Sequence, residues 1–166
     1  VCSGSGIQLR LDSATGTAPY TLIVNDTTYT NVNPGQNFAT LNYGENSIWG
    51  NSGTPNNPNG NDGLPIEVGV KFRSSSDGFV TGVRFYKGTS NTGTHIGSLW
   101  TKNGTKLATA TFTSETASGW QEVYFATPIA IHADSTYIAS YYSAGGTFAI
   151  TPFFFTTNGV TNGSLT

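Results

Sequence analysis

Val68-Gly69-Val70-Lys71-Phe72-Arg73, the turn Ser76-Asp77-Gly78, and Gly82-Val83-Arg84-Phe85-Tyr86 decide the fold of this chain. Val68, Val70 and Phe72 alternate with Gly69, Lys71 and Arg73; Val83 and Phe85 alternate with Gly82, Arg84 and Tyr86. Successive strand side chains point to opposite faces, so this period of two marks strands buried on one side. Strands of this kind, joined by polar turns, run antiparallel, and two packed sheets cover their apolar faces.

The same pattern continues toward the C-terminus. Ser98 to Phe112 reads as a hairpin, with Asn103-Gly104 supplying the positive φ angles of a type I′ turn. That turn pairs Trp100 with Leu107 and sets Leu99, Ala108, Ala110 and Phe112 on the opposite face. Trp120 to Ala126 is a strand, Pro128 to His132 an edge or corner, and Tyr137 to Tyr142 a further strand. Gly145-Gly146 turns the chain into Phe148-Ala149-Ile150, and Phe153 to Phe155 reads as the last strand. Toward the N-terminus, Ile7 to Leu11, Tyr20 to Val24, Thr27 to Thr30 and Phe38 to Tyr43 are short strands. Asn25-Asp26 and Pro34-Gly35 are the turns between them. The Asn-, Gly- and Pro-rich stretch Gly50 to Gly63 reads as a long loop.

No segment holds a 3.6 period over ten residues. The expected fold is all-β: an antiparallel β-sandwich of jelly-roll or Ig-like type. Residues 1–45 are expected to be a short β segment that docks on the sandwich or completes it, and residues 46–166 the sandwich itself.

Composition narrows the function. Charged residues make up 10 % of the 166, against about a quarter in ordinary soluble domains. With a net charge of -2 and no basic cluster, nucleic acid is not an expected partner. No apolar run approaches a membrane span, so membrane insertion is not expected either. No signal peptide is visible. The low charge and the abundance of Thr and Asn point to an extracellular or cell-surface location. Cys2 is the single cysteine and cannot form a disulfide within the chain.

The chain offers little for catalysis. Only His95 and His132 can supply an imidazole base, and there is no G-x-S-x-G elbow, P-loop or H-E-x-x-H. The reading is therefore not an enzyme. Calcium is the one cofactor the sequence suggests, because it takes loop carboxylates and amide oxygens. Asp62 and Glu67 are the candidate ligands, with Asn57, Asn59 or Asn61 beside them; a local turn at Asp62 and a Glu67 pair with Lys71 or Arg73 explain the same residues. The stronger leads are aromatic. The CH faces of sugars stack on flat rings while their hydroxyls seek Asn, Asp and backbone partners. Trp49 abuts the long loop and is the preferred platform; Trp100, Trp120, Tyr86 and His95 are further ligand-binding candidates. Asn25, Asn103 and Asn162 each open an Asn-x-Ser/Thr sequon.

The phrases Glu67-Val68-Gly69-Val70-Lys71-Phe72, Gly82-Val83-Arg84-Phe85-Tyr86-Lys87-Gly88, Asn91 to Trp100, Thr113 to Gln121 and Tyr137 to Tyr142 occur in an order that resembles the domain of unknown function 4082. The resemblance covers roughly residues 46–166. It implies an Ig-like or sandwich domain of secreted bacterial proteins, often beside carbohydrate-active or adhesive modules, and brings no catalytic residues with it. The expected function is a non-catalytic accessory module that binds a polysaccharide or surface glycan, or is adhesive. The alternative is a structural subunit of an extracellular filament or surface assembly, its sandwich completed by a neighbouring domain or by self-association through strand addition. A glycoside hydrolase is the third reading.

Overall fold

The computed structural model describes residues 7–24, 27–41, 46–50, 53–156 and 159–166. Every regular element among them is a β-strand. Cys2, Asn25, Asp26 and Tyr43 lie outside the described residues. The chain divides into two compact units, Cys2–Glu45 and Asn46–Thr166.

The smaller unit holds four strands: β1 (Ile7–Arg10), β2 (Tyr20–Val24), β3 (Thr27–Val32) and β4 (Asn37–Leu41). β1 pairs antiparallel with β4, and β2 with β3. Gly35, at φ 81°, makes the Pro34-Gly35 turn, and Tyr29 meets Phe38 edge to face at 5.3 Å.

The larger unit holds eight: β5 (Asn57–Asn61), β6 (Ile66–Phe72), β7 (Gly78–Lys87), β8 (His95–Thr101), β9 (Lys106–Thr111), β10 (Gly119–Ile131), β11 (Tyr137–Ser143) and β12 (Thr147–Ile150). One sheet runs β6-β11-β8-β9; the second is β10-β7; β5 and β12 form a separate pair. All pairings are antiparallel. Phe72, Val83, Leu99, Phe125, Ile131 and Tyr137 fill one part of the layer between the two main sheets. Phe85, Phe112 and Tyr141 fill another, with Phe148 of β12 packed on them. The alternating residues of β6 and β7 thus face a shared core, and the sandwich expected from them is observed. Burying a side chain such as Leu99, which is 0 % exposed, contributes roughly 1.5–3 kcal/mol.

Four local expectations are corrected. Asn57–Asn61 is a strand within the stretch read as loop. Its backbone pairs with β12, and Gly60 lies so close to Phe148 that a Cβ would sit 3.2 Å from the Phe148 carbonyl. Tertiary pairing overrides the poor strand propensity of Asn-Pro-Asn-Gly-Asn. The hairpin turn is not type I′. Gly104 alone has positive φ, at 86°, its N–H bonds the Thr101 carbonyl at 3.0 Å, and the Thr105 N–H bonds Thr101 Oγ1 at 3.1 Å. The longer loop ends in a bulge, which moves Trp100 opposite Lys106 instead of Leu107. Trp120 to Ala126 and Pro128 to Ile131 belong to the single strand β10, whose register shifts between Tyr124 and Ile129; His132 lies just beyond it. Phe153–Phe155 is a turn and not a strand: Phe153 has φ 62°, and the Thr156 N–H closes on its carbonyl at 3.2 Å. Pro152, with no N–H to give a ladder, leaves those three rings outside any sheet.

Candidate functional site: an aromatic-rimmed cleft on two strand edges

β6 ends the four-stranded sheet and β7 ends the two-stranded one; among the described residues neither outer edge has a strand partner. A cleft of about 750 Å³ opens there. Val83, Arg84, Phe85 and Tyr86 all line it. Val83 and Phe85 belong to the core, whereas Arg84 and Tyr86 pair across β10 with Glu122 and Trp120 on the outward face. Residues of both faces of β7 thus line the cleft, as do Ala139, Ser140 and Tyr141 of the central strand β11, and the unpartnered edge of β7, with its backbone N–H and C=O groups, is one part of the wall. Val68, Gly69 and Val70 of β6 line it in succession too.

Aromatic rings form the rim. Trp49 stacks on Trp120 at 6.5 Å and meets Phe154 and Phe155 at 6.2 and 6.1 Å. Tyr86 meets Trp120 edge-on at 5.6 Å, and the Arg84 guanidinium lies 4.2 Å over the Trp120 ring. The Trp120 indole N–H donates to the Gly53 carbonyl at 3.0 Å. Arg84 donates to Ser47 Oγ at 3.1 Å and lies 3.6 Å from the Glu122 carboxylate. Burial lowers the Arg84 pKa, and Glu122 and Tyr124 oppose that shift. Phe153, Phe154 and Phe155 are 84 %, 42 % and 52 % exposed. Three of the aromatic candidates, Trp49, Trp120 and Tyr86, therefore share one site. Sequence reasoning missed Arg84 and Phe153–Phe155. The available signal was three consecutive aromatics after a proline, too many for one face of a strand.

Trp100 stands apart, on the outward face of the four-stranded sheet. The indole N–H donates to Ser140 Oγ at 2.7 Å, and the Ser140 hydroxyl donates to Glu67 Oε1 at 2.6 Å. The Lys106 ammonium lies 4.5 Å over the ring.

Residues 52–166 match a family described as Domain of unknown function (DUF4082). The chain belongs to this family. No curated protein and no solved structure matches the chain.

In this DUF4082 domain the ligand-binding candidate His95 is 0 % exposed. Its Nδ1 is 2.8 Å from Glu115 Oε1, and its Nε2 is 2.8 Å from Asn91 Oδ1. Lys87 closes on the Glu115 carboxylate at 2.7 Å, and the Ser143 hydroxyl donates to Asn91 Oδ1 at 2.9 Å. Asn91 lies in the loop that precedes β8, so His95 ties that loop to the segment carrying Glu115 and stays out of solvent. Tyr141 lies in the same region, and burial pushes its phenol up to about 12, opposed by the Ala149 backbone and the Asn91 side chain.

The calcium candidates of the DUF4082 domain do not meet in a cluster: among the described residues no group of three or more His, Cys, Asp or Glu converges. Glu67 accepts from Ser140 instead of pairing with Lys71 or Arg73. Asp62 sits on an exposed turn, its N–H bonded to the Gly146 carbonyl at 3.0 Å. The side-chain oxygens of Asn57, Asn59 and Asn61 accept the N–H groups of Asn59, Ser90 and Gly63 at 3.0, 2.9 and 2.6 Å. These amides shape the turns around β5. No helix among the described residues is long and apolar enough to cross a membrane.

Proposed function

We propose that this DUF4082 domain is a non-catalytic adhesive or structural module of an extracellular or cell-surface protein, and that its cleft takes up an extended strand of another polypeptide, in the first instance a second copy of this chain. The observation that carries this reading is the opening of the cleft on the edges of β6 and β7. A ligand there meets a row of backbone donors and acceptors, which an extended peptide matches along its whole length. Its alternate side chains would enter the apolar space over Val68, Val70 and Phe85, and the others would meet Trp49 and Phe154. Arg84 is the one charged side chain lining the cleft, so few charged partners are on offer for a richly hydroxylated sugar chain. A net charge of -2 opposes association between copies only weakly.

The test is light scattering with hydrogen exchange over a concentration series. Association is expected, with amides of Val83 to Tyr86 gaining protection as concentration rises. Val68→Lys places a charge in the cleft and should abolish association while the domain remains folded. A monomer at every concentration, with exchange at β7 independent of concentration, rejects the second copy. Retention of an oligosaccharide that Trp49→Ala removes would assign the cleft to glycan instead.

A further inference from the structure

The outward face of the four-stranded sheet carries a second arrangement, which shares Gly69 and Ser140 with the cleft lining. Strand register sorts its side chains into three rows across β6, β11, β8 and β9. The middle row is small: Gly69, Ser140, Ser98 and Thr109. Lys71, Ile138, Trp100 and Lys106 form one flank. Ser98 and Ser140 are only 2 % and 6 % exposed although their side chains leave the core. Trp100 explains this, because its indole N–H reaches diagonally to Ser140 Oγ and so lays the ring over the small residues.

Covering two serines needs no indole; an aliphatic side chain would serve. The Trp100 ring is instead oriented by a relay. Its N–H donates to Ser140, and Ser140 donates to the exposed Glu67 carboxylate. A ring held in this way loses little conformational freedom when a ligand stacks on it. On the other side, the exposed Lys106 ammonium lies over the ring, which shows that its π-face receives positively polarised groups. The sheet thus presents a fixed aromatic plate with a carboxylate acceptor on one side and an ammonium donor on the other.

From this geometry we infer that Trp100, Glu67 and Lys106 form a carbohydrate subsite, where one sugar ring displaces the exposed Lys106 ammonium from the outer face of the indole and stacks there, the ammonium moving to the ring's edge. The CH groups of a pyranose face carry the partial positive charge that the ring attracts. Adjacent hydroxyls both donate and accept, so one donates to Glu67 while its neighbour accepts from Lys106. The exposed Gly69 beside Ser140 leaves the edge of the plate open, and a Cβ there would come 2.7 Å from the Ala139 carbonyl. Trp100, Glu67 and Lys106 do not line the cleft, although Gly69 and Ser140 beside them do, and different residues test the two proposals.

The experiment titrates the whole chain with cello-, xylo-, manno- and chito-oligosaccharides, following tryptophan fluorescence and heat. At least one series should bind. Trp100→Ala should weaken it by about tenfold or more, the effect of truncating an aromatic anchor. Trp100→Phe should retain part of the affinity, and Glu67→Gln should reduce it without changing the melt. Trp49→Ala, in the cleft, should leave it unchanged. The inference is overturned by binding to none of the four series, or by affinity that survives in folded Trp100→Ala. If Trp100→Ala does not fold, full affinity in both Trp100→Phe and Glu67→Gln overturns it equally.

Discussion

Gly97 is the point at which the sandwich can be tested most directly. It lies on β8 on the inward face, opposite Tyr141 and Ala110. A Cβ built there would sit 3.1 Å from Phe112, 3.1 Å from Val123 and 3.1 Å from Val83. Val83 and Val123 belong to the second sheet, so this hydrogen marks a close approach of the two layers. Ordinary carbon contacts begin near 3.5 Å, and each neighbour would have to retreat by a few tenths of an ångström. Inserting a methyl into a filled core costs about 1–3 kcal/mol. Replacing glycine also restricts the unfolded chain, which returns roughly 0.4–1 kcal/mol. Gly97→Ala should therefore destabilise by about 1–2 kcal/mol, and the melting temperature should fall by roughly 3–10 °C. Gly78→Ala is the control. It makes the same change on β7, where nothing lies within 4 Å and φ is not positive. The unfolded-state contribution is common to both, so the difference between the two melts isolates the crowding between sheets. Gly82→Ala should be worse than either, because its Cβ would run into the Val123 carbonyl, which no rotamer change can move. Thermal and urea melts of the three variants provide the assay. If Gly97→Ala melts with Gly78→Ala, the sheets do not meet at Gly97 and the packing argued here is wrong.

Other consequences can be checked in the same melts. Tyr141 is neutral in both states below pH 10; above it the unfolded phenol, at 10.0, ionises before the buried one, at about 12. Stability should then fall by roughly 1.4 kcal/mol per pH unit between those values, and Tyr141→Phe should flatten that slope; an unchanged slope places the phenol in water. Lys87→Ala removes the cation from Glu115, which is 11 % exposed, and should cost on the order of 3 kcal/mol. Glu115→Gln in that background should restore part of the loss, and no recovery would show that the charge is not the cause. Calcium held through Asp62 and Glu67 would raise the melting temperature on addition, and Glu67→Gln would abolish the gain; a melt indifferent to chelator excludes the ion there.

Alternation made the fold legible wherever a strand is buried on one face. Val68 to Phe72 and Gly82 to Tyr86 could be read directly, and so could Tyr137 to Tyr142, whose Tyr137 and Tyr141 are buried while Ile138 and Tyr142 lie outside. β5 was hidden because its strand state comes from pairing with β12 and from the approach of Gly60 to Phe148; Asn-Pro-Asn-Gly-Asn carries no periodic signal of its own. Asn103-Gly104 announced a turn but not its type, since the Thr101 side chain selects the longer loop and its bulge. His95 looked accessible because only the fold reveals that Asn91 and Glu115 close around it.

The candidate site escaped the sequence for a different reason. Alternation assigns each side chain to a face, but it is silent about a strand's edges, which carry only backbone. Whether β7 is flanked on one side or on both is decided by the other strands, and the residues that define the cleft, Val83 to Tyr86, look identical in either case. The aromatic rim is equally non-local: Trp49 and Trp120 are far apart in the chain and meet at 6.5 Å only once β10 has paired with β7. Composition singled out tryptophan, yet it could not distinguish a ring that packs at an edge from one laid on a sheet. That distinction rests on the Trp100 N–H, which reaches a serine two residues along the neighbouring strand. The outer face of a ring so tethered lies under Lys106, and neither residue lines the cleft, which is why variants at Trp100 and at Trp49 can test the two proposed sites separately.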